Sequence, residues 1–138
     1  MPAHDRRPAR QRHSEDSVAR YLGELQAEVM GIFWTQDSAT VRELVGQLKR
    51  KPPLAYTTVL TLVTRLWSRG LLAREPEGRG FRYRAAKSRE EFLAELSDEL
   101  IERLFTDFGE IAVARLSQRL DTLPAAQRRR LQRARRKR

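Results

Sequence analysis

Hydrophobic residues near the start of the chain recur every three or four positions, which is the period of a helix with one buried face. The first such stripe predicts a helix that ends before Asp37 and comprises Leu22, Leu25, Val29, Ile32 and Phe33. A second helix follows, because Thr40-Val41-Arg42-Glu43 has the form of a capping box. Lys51-Pro52-Pro53 must interrupt it, since proline lacks the N–H that a helix interior requires. We expect a third helix from about Ala55 to Arg69.

After Gly70 the hydrophobic period shortens to that of strands. Residues 71–75 and 81–85 predict a hairpin around the breaker-rich turn 76–80, with aromatic residues on one face and arginines on the other. Ser88-Arg89-Glu90-Glu91 is a second capping box and opens a helix with a continuous apolar face. A further helix and a last, basic one that begins near Pro124 complete the chain.

The polar face of the third helix carries the strongest functional signal. At 100° per residue its polar residues fall within an arc of about 140°, opposite leucine, valine and tryptophan residues that we expect in the core. The polar arc comprises Thr57, Thr58, Thr61, Thr64, Arg65, Ser68 and Arg69. A solvated helix face ordinarily uses Glu, Lys or Gln, because threonine is a mediocre helix former. Threonine and arginine instead suit a DNA major groove, where they meet thymine methyls, base edges and guanine.

The distribution of charge agrees with a polyanionic partner. The chain of 138 residues has a formal net charge of +10. Residues 40–84 hold ten basic and three acidic side chains, and residues 125–138 hold eight basic side chains and no acid. From Leu44 to Arg74 there is no carboxylate that would repel phosphates.

The order of the elements predicts the fold class. Three helices followed by a glycine-centred hairpin is the order of a winged helix-turn-helix, so we expect a mostly α protein with a small β-hairpin. Four segments are predicted: a disordered basic arm (1–18), a winged helix-turn-helix DNA-binding domain (19–86), a helical dimerisation region (87–123) and a basic C-terminal helix or tail (124–138).

Composition removes several classes of chemistry. The chain has no cysteine, and its two histidines, His4 and His13, lie in the polar N-terminal segment, so we expect no metal site and no cofactor. The glutamates four apart between Ser88 and Phe105 are more typical of an amphipathic helix than of a catalytic pair, so we expect no enzymatic activity. No apolar run approaches the roughly 18 residues of a membrane span, which predicts a cytoplasmic protein without membrane insertion.

Several motifs, in order and with matching spacing, resemble the BlaI/MecI group of penicillinase and methicillin-resistance repressors, within the wider BlaI/MecI/CopY family. The most specific is Leu54-Ala55-Tyr56-Thr57-Thr58-Val59-Leu60-Thr61. The others are Leu22-Gly23-Glu24-Leu25-Gln26-Ala27-Glu28-Val29-Met30, Phe33-Trp34, Thr40-Val41-Arg42-Glu43, Arg65-Leu66 and Phe81-Arg82-Tyr83. The resemblance covers about residues 20–105.

This resemblance implies a homodimeric transcriptional repressor that binds inverted-repeat operators on double-stranded DNA, often with TACA/TGTA cores. It implies groove contacts through Thr57, Thr58, Thr61 and Arg65, and wing contacts through Arg82 and Tyr83. The predicted DNA-binding set is completed by Tyr56, Lys51 and Arg79.

Two departures from the family pattern leave the inducing signal open. Copper-responsive members carry a C-terminal cysteine cluster, so the absence of cysteine excludes copper sensing by thiolates. Induction in the penicillinase repressors proceeds by cleavage at an Asn-Phe bond, and this chain contains no asparagine. Release through a membrane sensor protease, release by another signal, and activation rather than repression all stay open.

The C-terminal helices predict the dimer interface. Too few helices follow the hairpin to bury their apolar residues within one chain, so we expect a second copy to cover them. The predicted interface comprises Phe92, Leu93, Leu96, Leu100, Ile101, Leu104 and Phe105.

The arginine-rich tail favours a second class of function, a non-specific nucleic-acid-binding or nucleoid- or ribosome-associated basic protein. Specific readout gives a protected palindrome, whereas tail-driven binding is uniform along DNA and collapses with salt. Three roles of the tail stay open: contact with DNA phosphates, docking on the acidic helix that begins at Ser88, and a solvated end without a role.

Overall fold

The structure is a computed structural model that describes residues 6, 8–48 and 50–136. Its elements in chain order are α1 (Ala9–Leu22), α2 (Glu24–Thr35), β1 (Ala39–Thr40), α3 (Val41–Gln47), α4 (Tyr56–Ser68), β2 (Leu72–Glu77), β3 (Gly80–Ala85), α5 (Arg89–Phe108), α6 (Glu110–Asp121) and α7 (Ala125–Arg136). This mostly helical chain with one small sheet confirms the predicted fold class. The chain divides into two compact units, one ending at Leu93 and one beginning at Ala94.

Helix α4 lies at the centre of the first unit, where it packs against α2, α3 and β2. The centre of its apolar face, at Val59, Val63 and Leu66, is fully buried, and the same core takes side chains from every neighbouring element. The core residues with no exposed surface or almost none are Val29, Met30, Leu44, Leu48, Val59, Val63, Leu66 and Tyr83. Burying a side chain of this size contributes roughly 1.5–3 kcal/mol, so this face fixes which side of α4 points outward.

The sheet of the first unit is antiparallel, in the order β1-β3-β2. Arg82 of β3 lies opposite Thr40 of β1 and Glu75 of β2. Gly78 has φ +60° and begins the tight turn between β2 and β3, a left-handed value that favours glycine at the first position of a type II′ turn. The hairpin is therefore longer than predicted, and Arg79 lies at its tip.

Both predicted capping boxes lie at helix starts. The Glu43 backbone N–H donates to Thr40 Oγ1 and the Thr40 N–H donates to Glu43 Oε2, each over 3.2 Å, so the reciprocal pair at α3 is complete. At α5 the Glu91 N–H donates to Ser88 Oγ over 3.0 Å.

The N-terminal segment departs from the predicted disordered arm, because residues 9–22 form α1. Val18 and Leu22 lie one turn apart on α1, and both are buried where it packs against α2. Gly23, at φ +93°, separates the two helices. Two apolar residues are too sparse to predict a helix from sequence, whereas a neighbouring helix gives them a surface to cover. Residues 1–5 and 7 of the predicted arm lie outside the described residues.

The start of α5 belongs to the first unit. Trp34 of α2 donates its indole N–H to the Lys87 carbonyl over 2.9 Å, and its ring lies 6.1 Å from that of Phe92. These contacts extend the first unit beyond residue 86, where the sequence places the end of the winged domain.

The second unit has little core of its own. From Ala94 onward Ala112 is the one described residue that is buried. Lys137 and Arg138, the end of the predicted tail, lie outside the described residues. None of the described helices combines the length and apolar character needed to cross a membrane.

Candidate nucleic-acid interface

Helix α4 presents the predicted threonine and arginine face to solvent. Its four predicted groove residues, Thr57, Thr58, Thr61 and Arg65, all have accessible side chains. Val59, Val63 and Leu66 on the opposite side are fully buried. The helix has 13 residues and is therefore about 20 Å long, which spans the width of a major groove. The burial of one face thus places the four predicted groove residues on the other.

One threonine hydroxyl on this face is held by the helix itself. Thr61 Oγ1 donates to the Thr57 carbonyl over 2.9 Å. This bond uses the hydroxyl proton and leaves the oxygen as an acceptor. Thr61 can therefore accept from an adenine or cytosine amino group or contact a thymine methyl.

Tyr56 and Arg79 line one cleft of about 370 Å³ between the starts of α3 and α4 and the hairpin. Tyr56 is the first residue of α4, and Arg79 is exposed at the hairpin tip. Arg42, in the first turn of α3, lines the same cleft and is exposed, although it is not among the residues predicted from sequence. Its position inside a capping box two residues after Thr40 is the signal that could have identified it. Lys51 is exposed in the loop before α4 but does not line this cleft.

Arg82, which is expected to contact DNA from the wing, is bound to other side chains of the same chain. Its Nε donates to both carboxylate oxygens of Glu77 over 3.1 Å, and its Nη2 donates to Glu43 Oε1 over 3.0 Å. A further bond, from Nη1 to Ser38 Oγ, measures 3.2 Å. The guanidinium therefore joins the hairpin to the start of α3, and its donors are used within the chain.

The titration of this cluster follows from the same contacts. The hydrogen bond from Arg82, and after it the one from the Thr40 backbone, lowers the pKa of Glu43 below its ordinary value. Hydrogen bonds to Glu77 and then to Glu43 raise the pKa of Arg82. Both effects favour the charged pair at neutral pH.

Tyr83 cannot contact DNA as expected, because it is only 1% exposed. Adjacent residues of a strand point to opposite faces, so Arg82 on the outer face places Tyr83 in the core. Its ring lies 6.2 Å from that of Phe81 in an edge-on arrangement. The aromatic face of the hairpin therefore holds the wing against the helices.

Trp67 also differs from expectation, since the sequence assigned it to the core and it is 38% exposed. The Arg74 guanidinium lies 3.5 Å from the centroid of the Trp67 indole and 4.0 Å from that of the Phe81 ring. Stacking of this kind covers an aromatic face without removing it from the surface. Arg74 thus braces the hairpin against the end of α4.

The predicted dimer residues fall into two groups. Phe92 is 6% exposed and packs against Trp34 within one chain, so we exclude it from the proposed dimer interface. The others are exposed or partly exposed: Leu93, Leu96, Leu100, Ile101, Leu104 and Phe105. Further exposed apolar side chains that the predicted interface omitted are Phe108, Ile111, Val113, Leu116 and Leu120. Large apolar side chains in such number on one small unit are typical of a surface that another chain covers.

No cluster of His, Asp or Glu with the arrangement of a metal site occurs in the part of the chain that the structure describes.

Comparison with known proteins places this arrangement in a family. The family described as "Penicillinase repressor" matches residues 22–136. "Transcriptional regulator BlaI" of Mycobacterium tuberculosis is 36% identical over 76 residues, which are 54% of this chain and 55% of the relative. "Methicillin resistance regulatory protein MecI" of Staphylococcus aureus is 21% identical over 90 residues, 65% of this chain and 73% of the relative. An uncharacterized 16.5 kDa protein of Latilactobacillus sakei is 35% identical over 77 residues, 56% of this chain and 53% of the relative.

The chain spans about half the length of the first of these curated relatives. The family match itself covers far more than half of the chain and runs from the end of α1 to the end of α7. It includes the winged domain with its exposed α4 face and the apolar helices that follow. The chain belongs to the penicillinase repressor family.

Proposed function

We propose that this protein is a sequence-specific DNA-binding transcriptional repressor that acts as a homodimer in the cytoplasm. The observation that carries the proposal is the outward face of α4, where exposed threonines and Arg65 lie on a helix without a carboxylate. Family membership and the name of the relative in Mycobacterium tuberculosis support it. In this proposal α4 enters the major groove, and the hairpin is the wing beside it.

The proposed contacts divide into two classes. Thr57, Thr58, Thr61 and Arg65 read base edges, because they lie along the exposed face of α4. Cations at the rim contact phosphates and carry no sequence information. This second class comprises Arg42, Lys51 and Arg79, with Tyr56 beside them in the cleft.

A homodimer would match a symmetric operator. Exposed apolar residues of α5 and α6 are proposed to pair two copies, and a two-fold dimer matches an inverted repeat with half-sites one helical turn or a multiple of it apart. The resemblance to the BlaI/MecI group suggests TACA/TGTA cores. The release signal stays open, since the chain offers neither asparagine nor cysteine for the family's known routes.

Selection of bound sequences from a random duplex pool tests the proposal. We expect the purified chain to enrich an inverted repeat, and Thr61→Ala with Arg65→Ala to lose that enrichment. A pool that stays random while binding falls steeply with salt would favour the alternative of a non-specific basic protein.

A further inference from the structure

Helix α7 carries a concentration of positive charge that the proposed groove contacts do not use. It runs from Ala125 to Arg136, directly after Pro124, and every residue in it is exposed. It contains no acid and six arginines: Arg128, Arg129, Arg130, Arg133, Arg135 and Arg136. Arg128 is partly engaged, since its Nε donates to the Leu123 carbonyl over 3.0 Å.

Four of these arginines lie on one side of the helix. At 100° per residue they span an arc of about 120°, and they surround Ala126, whose small side chain leaves a shallow depression between them. This four-arginine face comprises Arg129, Arg130, Arg133 and Arg136. None of the four makes an ion pair with any residue within the described ranges. The opposite side holds Leu131 between Arg128, Arg135 and Ala134.

The spacing of this face matches a line of phosphates. Residues 129 and 136 are seven positions apart, which is about 10 Å along a helix. One strand of duplex DNA passes about three phosphates over that axial distance, and because the strand winds around the axis a straight helix reaches about two of them. Arginines three or four positions apart also repel each other along a helix, and a polyanion relieves that repulsion.

We propose that the four-arginine face of α7 binds the phosphate backbone of duplex DNA as a second, sequence-independent contact. The inference rests on the proposed function, because it takes DNA as the available polyanion. Anionic lipid fits less well, since interfacial helices oppose their basic face with a broad apolar one, and Leu131 and Ala134 form only a narrow strip. The acidic residues of α5 are no alternative partner within the described chain, because none pairs with the four arginines.

A pair of matched double variants tests this contact. Arg129→Gln with Arg133→Gln removes two charges from the face, whereas Arg128→Gln with Arg135→Gln removes two from the other side of the same helix. Binding to an operator and to a random duplex is measured over a salt series that brackets physiological ionic strength. We expect the face variant to make the log-affinity against log-salt slope shallower by about 1.8 per protomer, and so by about 3.6 for a dimer, since each phosphate contact contributes about 0.9. The control should change the slope by less than half as much, and the operator-to-random affinity ratio should stay constant.

A charge-preserving variant and a folding control complete the experiment. Arg129→Lys with Arg133→Lys should keep most of the slope, because phosphate contact requires the charge more than the guanidinium shape. Circular dichroism establishes that each variant keeps its helices, and glutamine is itself a good helix former. If the glutamine variant loses helix, the salt slope of the lysine variant is compared instead with that of a protein from which residues 125–138 are deleted.

Three results would overturn the proposal. Equal slopes for the unmodified protein, the face variant and the control would leave α7 without a DNA contact. An unchanged slope with weaker self-association would assign the face to a second copy of the chain. An unchanged slope with weaker binding to phosphatidylglycerol vesicles would assign it to lipid. A changed slope in a protein that does not distinguish operator from random duplex would instead contradict the proposed function and support the α7 contact.

Discussion

Arg82 and Arg79 lie three positions apart on one hairpin but have different surroundings. Arg82 is held by Glu77, Glu43 and Ser38, whereas Arg79 is exposed at the tip and lines the cleft beside Tyr56. The sequence could place both on the wing, because the hairpin is a local pattern. It could not distinguish their roles, since two partners of Arg82 lie 39 and 44 positions away, on α3 and before β1.

This difference predicts opposite phenotypes for the two arginines. Arg82→Ala should lower the thermal midpoint of the first unit and weaken binding to every duplex, because the wing loses its side-chain bonds to Glu43 and Ser38. Arg79→Ala should leave the midpoint unchanged and make the salt slope shallower by about 0.9 per protomer, and so by about 1.8 for a dimer. Thermal melts and salt titrations of the two variants check this. Equal midpoints for Arg82→Ala and the unmodified protein would contradict the structural role of Arg82.

The base-reading residues should behave differently from both. Arg65→Ala and Thr61→Ala each remove a proposed groove contact, and a good contact of this kind discriminates bases by about 1–3 kcal/mol. We expect both variants to bind operator more weakly and random duplex almost unchanged. Arg79→Ala is the matched control, because removing a phosphate-binding side chain weakens both duplexes alike. If Arg65→Ala lowered the affinity for both duplexes equally, the proposed contact of Arg65 with bases would be contradicted.

The Glu43–Arg82 pair predicts a dependence of stability on pH. The pKa of Glu43 is lowered in the folded chain, so its contribution is present above the ordinary glutamate pKa and is lost as pH falls through the folded value. Glu43→Gln removes this contribution but keeps a residue that can complete a capping box. The unmodified protein should melt higher than the variant at neutral pH, and the difference should shrink below about pH 4. A difference that stays constant through this acidic range would contradict the pairing.

At the scale of elements, the sequence predicts what local chemistry determines. The capping boxes place the starts of α3 and α5 because their donors and acceptors lie within four residues. The two-faced pattern of α4 identifies its outward side, since a helix with one buried face exposes the other. β1 could not be predicted in this way, because its two residues, Ala39 and Thr40, are extended through pairing with Tyr83 and Arg82 much later in the chain.

In α5 too, contacts with distant residues decide what the local pattern cannot. One apolar stripe runs along the whole helix. Phe92 is covered by Trp34 within the chain, while the leucines that follow stay partly exposed. Nothing in the periodicity marks where one surface gives way to the other, because Trp34 lies far before Phe92 in the sequence. The contact, rather than the pattern, decides which residues are available to a second copy.

Substitutions on the two parts of α5 should therefore separate folding from association. Phe92→Ala should destabilise the first unit by about 3 kcal/mol, the usual cost of truncating a buried phenylalanine, and leave association intact. Leu96→Asp with Leu100→Asp should give monomers with an unchanged first unit. Thermal denaturation and light scattering at micromolar concentration distinguish the two. A monomeric unmodified protein would contradict the proposed dimer.

At the scale of the molecule, charge and apolar surface are segregated along the chain. Basic residues are concentrated in the winged domain and in α7. Most of the exposed large apolar residues lie in α5 and α6. DNA binding and self-association are thereby proposed for different surfaces of one chain. Two copies joined through the second unit would present two α4 faces, and each would read one half-site.

Competition between two duplexes tests sequence-specific readout most directly. One duplex carries the inverted repeat that the protein selects from a random pool, and the other carries the same bases in scrambled order. We predict that the purified protein prefers the inverted repeat by about 10³-fold or more at physiological salt, and that Thr61→Ala with Arg65→Ala removes most of this preference. Equal affinity for the two duplexes would contradict base reading by α4.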